Sequence, residues 1–289
     1  MDVSAGELSV RQIVLIIATV SRTSPLVDLL ESVIQQDACA RIRIILVDQN
    51  NDTRLSDVVN RFSGTVDILW VGSRLGLSRA RNVGLRLLDG DGIVGFPDDD
   101  CKYPEGFLQS LLDVFDARGA DFVSVRELGP DGSTDTRAPS KEGHIHRYNV
   151  WRACGSNRTF FTTAAVAAIG DFDENLGLGA GTAWEGGEDI DYPIRGLKSG
   201  LRGWFTPALH VVHVGTIARG RGPGADRVFA YNASMGRVWR RHDYRRWWLI
   251  YQGLRPVGGI LVAGLRGDTA LVRHHWNALR GRVWGWSNG

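Results

Sequence analysis

Residues 92–101 read GIVGFPDDDC: an apolar run, a proline, then Asp98, Asp99 and Asp100 side by side. Carboxylates this close repel and raise one another's pKa, so the triplet is costly unless positive charge meets it. A divalent cation such as Mg2+ or Mn2+ fits that need. It prefers hard oxygen ligands and takes one or two carboxylates while substrate phosphates fill other positions. Held against a diphosphate, it would neutralise the leaving group of a nucleotide-activated substrate. The plainer alternative is a solvated acidic turn ahead of a helix beginning near Pro104, where negative charge favours the helix N-terminus.

The elements that must carry these acids follow from periodicity. Continuous apolar runs at 13–18 and 43–47 predict strands covered on both faces, and 66–71, 93–96 and 121–125 read as further strands. Between them, helical spacing appears at 25–36 behind Ser24 as the expected cap, and at 55–62, 77–88 and 104–117. Strands alternating with helices predict an α/β domain, a mainly parallel sheet with helices on both faces. Ligands of such sheets bind outside the carboxyl ends of the strands. Asp48 closes one strand and the aspartate triplet another, so they face one crevice. The turn after the first strand, TVSRTSP, has no GxGxxG, and no GxxxxGK[ST] loop occurs, which disfavours a dehydrogenase-type or P-loop site.

The chain has 289 residues, 43% hydrophobic and 23% charged, ordinary for a soluble globular protein. Cys39, Cys101 and Cys154 share no metal-ligand or redox spacing and read as reduced thiols of a cytosolic protein. The N-terminus does not resemble a signal peptide, and the apolar run 257–265 is too short to span a bilayer as a helix. The net charge of +2 hides an asymmetry: residues 219–289 hold thirteen arginines, no lysine and three acids, so +10, against −8 for the rest. Six of the ten tryptophans also lie there. This predicts a division into residues 1–218 and a basic, helical C-terminal appendage at 219–289.

Six segments, in order, resemble the family 2 glycosyltransferases of GT-A fold: IATVSRTSPLVDLLESV with its preceding strand, ILVDQNNDT, SRLGLSRARNVGL, GFPDDDC, then IGDFDENLG with GGEDIDYPIRGLKSG, and HVVHVG. The likeness runs over roughly residues 11–215 and looks most like a bacterial polysaccharide-assembly branch. It implies an inverting, metal-dependent enzyme that moves a sugar from a nucleotide-diphosphate sugar to a glycan or lipid-linked acceptor. On this resemblance Thr19, Arg22, Asp48, Arg79, Asn82, Asp98 and Asp99 would contact the donor. Asp100 and His213 would hold the metal, although three adjacent acids leave the register open. Asp189 would be the general base, with Glu188 beside it, and Trp184, Glu185 and Asp191 would meet the acceptor. Arg195 would hold the acids or touch a phosphate, and Arg81 reads as a surface residue. Outside that context, an acidic pair at a helix start simply complements the dipole. His210 shares a face with His213 only if the strand is irregular.

Arginines and tryptophans interleave at helical spacing over 225–253 and 268–282, which suits the headgroup layer of a membrane. Taken with the family resemblance and its lipid-linked acceptor, this implies peripheral contact with the cytoplasmic face of the inner membrane. The other readings are packing on the catalytic part or an oligomer interface. Nucleic-acid binding is disfavoured by the acidic first part. A sugar nucleotidyltransferase would want a glycine-rich loop and a lysine that TVSRTSP lacks, and a catalytically silent docking scaffold is the non-enzyme alternative. The polar stretch 129–152 reads as a mobile acceptor-side loop.

Overall fold

A computed structural model of the chain describes residues 11–134, 138–214 and 225–289. The expectations about the first ten residues and the division at 218/219 lie outside them. The first half alternates: β1 (Gln12–Thr19), α1 (Ser24–Ile34), β2 (Arg41–Asp48), α2 (Ser56–Phe62), β3 (Asp67–Gly72), α3 (Leu77–Leu85), β4 (Gly92–Gly95), β5 (Cys101–Lys102), α4 (Phe107–Arg118) and β6 (Phe122–Leu128). Then come β7 (Gly143–Ile145), α5 (Val150–Ala153), a 3-10 turn (Ser156–Arg158), β8 (Thr159–Thr162), α6 (Thr163–Ile169), α7 (Glu188–Lys198) and β9 (Gly203–His213). Three helices end the chain: α8 (Ala225–Arg241), α9 (Arg246–Leu265) and α10 (Thr269–Asn288).

One sheet runs β3-β2-β1-β4-β8-β6-β9-β5, with β7 also on β9. It is parallel across β3, β2, β1 and β4 and between β6 and β9. β8, β5 and β7 pair antiparallel. The apolar run of β1 is continuous because both faces are covered. Ile13, Leu15 and Ile17 point to one core with α1, α2 and α4, while Val14 and Ile16 point to the other with α3, α6 and α7. Asp48, Thr19 and Gly72 share a register line at the carboxyl ends.

Two local expectations change and a third holds despite an irregular strand. Ser24 is the first helical residue of α1. Thr23 occupies the cap position, without a side-chain hydrogen bond, and Pro25 fits the first turn. The stretch 129–152 is no simple loop, since β7 and α5 tie much of it to the sheet. β9 bulges between Thr206 and His210, ahead of His210, so His210 and His213 still fall on opposite faces.

The C-terminal helices pack on the rest. Val238, Trp239 and Trp248 join the same core as Ile16, Val94 and Phe96, and Trp239 is 1% exposed. α10 lies against α8 with almost no space between backbones. A β-carbon on Gly285 would sit 1.9 Å from the Ala233 carbonyl oxygen, and one on Gly236 2.3 Å from that of Arg282. The helices can therefore approach this closely only with glycine there. Gly285→Val is expected to force them apart and lower the melting temperature by about 5 °C or more. Gly253→Ala, at a site with open space around it, should not lower it. Paired thermal denaturation checks both.

Candidate active site

The carboxyl ends of β1, β2 and β4 meet the turn that follows β4. Ala18 bridges Asp98 in parallel fashion, which brings the aspartate triplet beside Thr19. The Thr19 hydroxyl donates to Asp99 Oδ2 at 2.7 Å. Arg22 Nη1 reaches Asp99 Oδ1 at 2.9 Å and Asp100 Oδ2 at 2.8 Å. Burial pushes the Asp99 carboxyl up, against the pull of Thr19 and Arg22. One strand over, buried Asp48 accepts from the Asn50 backbone N–H at 2.8 Å and from its side-chain amide at 2.7 Å. Trp70 Nε1 donates to its other oxygen at 3.1 Å, a partner no sequence motif announces.

The short antiparallel pairing of β5 with β9 sets Cys101 opposite His213. His213 Nε2 thereby lies 3.0 Å from Asp100 Oδ1 and 3.7 Å from Asp98 Oδ2, and its Nδ1 lies 3.1 Å from Glu127 Oε1. Burial alone would lower the imidazole pKa. The hydrogen bonds to Asp100 and Glu127, with the nearby acid charges, outweigh it and push the pKa up to about 10. Burial likewise pushes Asp100 up, but the His213 bond and the charges of His213 and Arg22 hold it below the ordinary carboxylate value. Ligand atoms of Asp100, Cys101 and His213 lie within 4.8 Å of one another. Burial keeps the Cys101 thiol protonated, so the usable donors are the Asp100 carboxylate and the His213 imidazole, with Asp98 beside them. Hard oxygens with one imidazole suit Mn2+ or Mg2+.

Across the crevice, α7 begins at Glu188. Gly186 and Gly187 lead into it directly beneath α8, and a β-carbon on Gly186 would sit 2.6 Å from the Tyr231 ring. Glu188 is buried, with Oε1 3.5 Å from Arg81 Nη1. Burial and the neighbouring Asp189 push its pKa up to about 7. Asp189 is half-buried and raised by burial, against the charges of Arg81 and Arg158. Among the described residues no side chain hydrogen-bonds it.

Arg81 is the residue the sequence reading put elsewhere. It is 1% exposed and lies between Glu188, Asp98 at 3.4 Å and the Ser156 hydroxyl at 2.8 Å. Its neighbours on α3 turn the other way. Arg79 pairs with Glu174 at 3.0 Å. Buried Asn82 donates to the Phe172 carbonyl and Glu174 and accepts from the Phe172 N–H. Both hold the loop before α7 and do not enter the aspartate cluster. Asp191 is also turned away. It accepts from His242 Nε2 at 2.8 Å and Arg195 Nε at 2.9 Å, which leaves it on the α7–tail contact and shows Arg195 holding an acid. Trp184 lies under Arg237, whose guanidinium carbon is 3.8 Å from its ring centre. Glu185 sits half-buried between Trp184 and Gly186.

The raised Glu188 pKa has a signed consequence. Its folded value of about 7 exceeds the ordinary 4.5, so the folded chain holds a proton that the unfolded chain releases. Stability from this group is present below pH 4.5 and is lost as pH rises toward 7. Glu188→Gln carries no such loss. In EDTA, its melting temperature relative to the parent chain is expected to rise between pH 5 and pH 8, by on the order of a few degrees. A flat difference would contradict the assignment.

The sequence pattern of "Glycosyl transferase family 2" matches residues 14–171, more than half of the chain. Probable N-acetylgalactosaminyltransferase 9 of Caenorhabditis elegans is 25% identical over 275 residues, covering 83% of this chain and 46% of that protein. The chain thus spans about half the length of that relative. Among solved structures, a mannosyltransferase from Pyrobaculum calidifontis in complex with GDP-Man and Mn2+ superposes with a TM-score of 0.63 at 15% identity, over 95% of this chain and 87% of that one. S. aureus TarS 1-349 in complex with UDP-GlcNAc gives 0.60 at 13% identity, over 93% and 91%. The superpositions show a shared GT-A-like fold, and the sequence match over β1 to α6 shows that the chain belongs to glycosyl transferase family 2.

Proposed function

We propose that the protein transfers one sugar, with inversion, from a nucleotide-diphosphate sugar to a hydroxyl of a glycan or lipid-linked acceptor in bacterial cell-surface polysaccharide assembly. The observation that carries this reading is the division of labour among the acids. Asp99 and Asp100 are engaged by Arg22, Thr19 and His213. Asp189, on the opposite wall, has no side-chain partner among the described residues.

Asp48 and Thr19, level with each other at the strand ends, would meet the base and ribose of the donor, since a carboxylate accepts well from an imide N–H. Asp100 and His213, with Asp98, would hold a divalent cation, which when bound supplies positive charge to the departing diphosphate. His213 must give up its proton to serve there, so cation binding strengthens as pH rises. Arg22, half exposed beside the triplet, can swing toward the phosphates. Asp189 takes the proton from the acceptor hydroxyl as that oxygen attacks the anomeric carbon opposite the leaving group. With no enzyme nucleophile, one displacement inverts the centre. Arg81 keeps Glu188 and Asp98 from repelling each other across the crevice. The known ligands of the two superposed structures, UDP-GlcNAc and GDP-Man with Mn2+, support a nucleotide-sugar donor. The donor's base and sugar are a matter for a thermal-shift panel.

In that panel, UDP, GDP, dTDP and CMP are each added with and without Mn2+. One diphosphate is expected to raise the melting temperature strongly, and only with metal. Asp189→Asn should keep this shift and lose about 10²–10⁴-fold in transfer rate. Wild-type transfer by Asp189→Asn would remove the assigned base, and silence from all four nucleotides would remove the donor site.

A further inference from the structure

The two faces of α9 differ in character. One is fixed to the protein. Trp248, Gln252, Pro256 and Ala263 are buried on it, and Trp248 belongs to the core that holds Val94 and Phe96. On the same side Gly259 lies against α10, where a β-carbon would sit 2.5 Å from the His275 ring. The opposite face is open. Trp247, Ile250, Leu254, Val257, Leu261 and Leu265 follow one another three or four residues apart, which sets them in one stripe along the helix. Ile250 and Leu261 are 64% exposed and Leu265 is 90% exposed. A β-carbon on Gly258, within the stripe, would meet nothing within 4 Å. From Trp247 to Leu265 the stripe runs about 27 Å at the rise of an α-helix. Single exposed apolar residues are ordinary, but a continuous stripe of this length marks an interaction surface.

Charge selects what covers it. α9 contains no aspartate or glutamate. At about 100° per residue, Arg246 falls on one edge of the stripe, and Arg255 and Arg266, one on α9 and one at its C-cap, fall on the other. All three are exposed. Arginines so placed extend to phosphate headgroups while the apolar stripe sits below them in the acyl boundary. A second copy of the same face fits less well. Both edges are basic, so face-to-face pairing in either direction would set arginine against arginine, with no acid on the helix to meet them. Because its other face is occupied by protein, α9 would lie along the bilayer surface, and no described helix is long and apolar enough to cross a membrane.

We propose that the outer face of α9 docks the protein on an anionic lipid bilayer, with the apolar stripe in the acyl boundary and Arg246, Arg255 and Arg266 among the headgroups. This surface is separate from the sugar-transfer site, since none of its residues belongs to the aspartate crevice.

The test is flotation of the full chain with vesicles of phosphatidylcholine alone, or of phosphatidylcholine mixed with phosphatidylglycerol. The parent chain is expected to float with the mixed vesicles, and less of it as salt is raised. Leu254→Gln with Leu261→Gln removes apolar surface without adding charge and should weaken this binding at least about tenfold. Leu265→Gln alone should act in the same direction with a smaller loss. Arg246→Gln with Arg255→Gln and Arg266→Gln should weaken binding to the mixed vesicles roughly 100-fold. Leu75→Gln, at a leucine exposed to nearly the same degree as Leu254 but outside α9, should float as the parent does. Every substituted side chain is exposed, so the melting temperatures should stay near that of the parent, which separates lost docking from lost fold. Unchanged flotation of both leucine variants, or an equal loss in Leu75→Gln, would overturn the docking face. Equal flotation with both vesicle compositions would overturn the anionic partner. A parent chain that ignores both vesicles would overturn the proposal outright, and if it sediments as a dimer while the double leucine variant sediments as a monomer, the stripe belongs to a second copy.

Discussion

Arg81 is held almost out of water between Asp98, at the end of the central strands, and Glu188, at the start of α7. A buried charge with partners removed is strongly destabilising, and here the dependence is mutual, because each acid would face the other without the guanidinium. Much of the surrounding architecture serves to keep that contact closed. Phe172 places its ring 5.5 Å from the guanidinium carbon. Asn82 clamps the backbone of Phe172 from both sides. Ser78 donates to the Leu176 carbonyl and Leu77 N–H to that of Leu178, so the glycine-rich loop lies down on α3.

The charge imbalance along the chain has an internal side as well as an outward one. Arg241 and Arg237 both pair with Asp173, and His242 donates toward Asp191. The basic C-terminal helices are thus in part the counter-charge of the acidic first part. Their tryptophans divide similarly. Trp239 is core, whereas Trp247 and Trp276 are half exposed.

Much of this was legible because it is local. A strand buried on both faces writes itself as an unbroken apolar run, and acids at a strand end are conspicuous wherever they occur. The family resemblance also brought Asp100 and His213 under one suspicion. What was not legible depends on pairing over long separations. Glu127 reaches His213 only because β6 and β9 run side by side, 86 residues apart. Arg81 and Arg79 look alike on a helix until the loop beyond α6 folds over one and the strand ends over the other. Asp189 and Asp191 are two residues apart, and only the position of α8 decides that Asp191 is spent on His242. The apolar face of α9 was visible as composition, but its exposure was not.

The bond from His242 to Asp191 also orders events in time. Asp191 carries one of the most buried carboxyl groups of the chain, at 1% exposure, and much of what makes that burial tolerable lies fifty residues downstream. During synthesis, the front of the chain can collapse onto its sheet as it emerges, yet of the two side chains that hydrogen-bond Asp191 only Arg195 is in place until His242 has left the ribosome. The nascent protein therefore completes the bonding of α7 late, when the apolar helix that follows is itself about to appear.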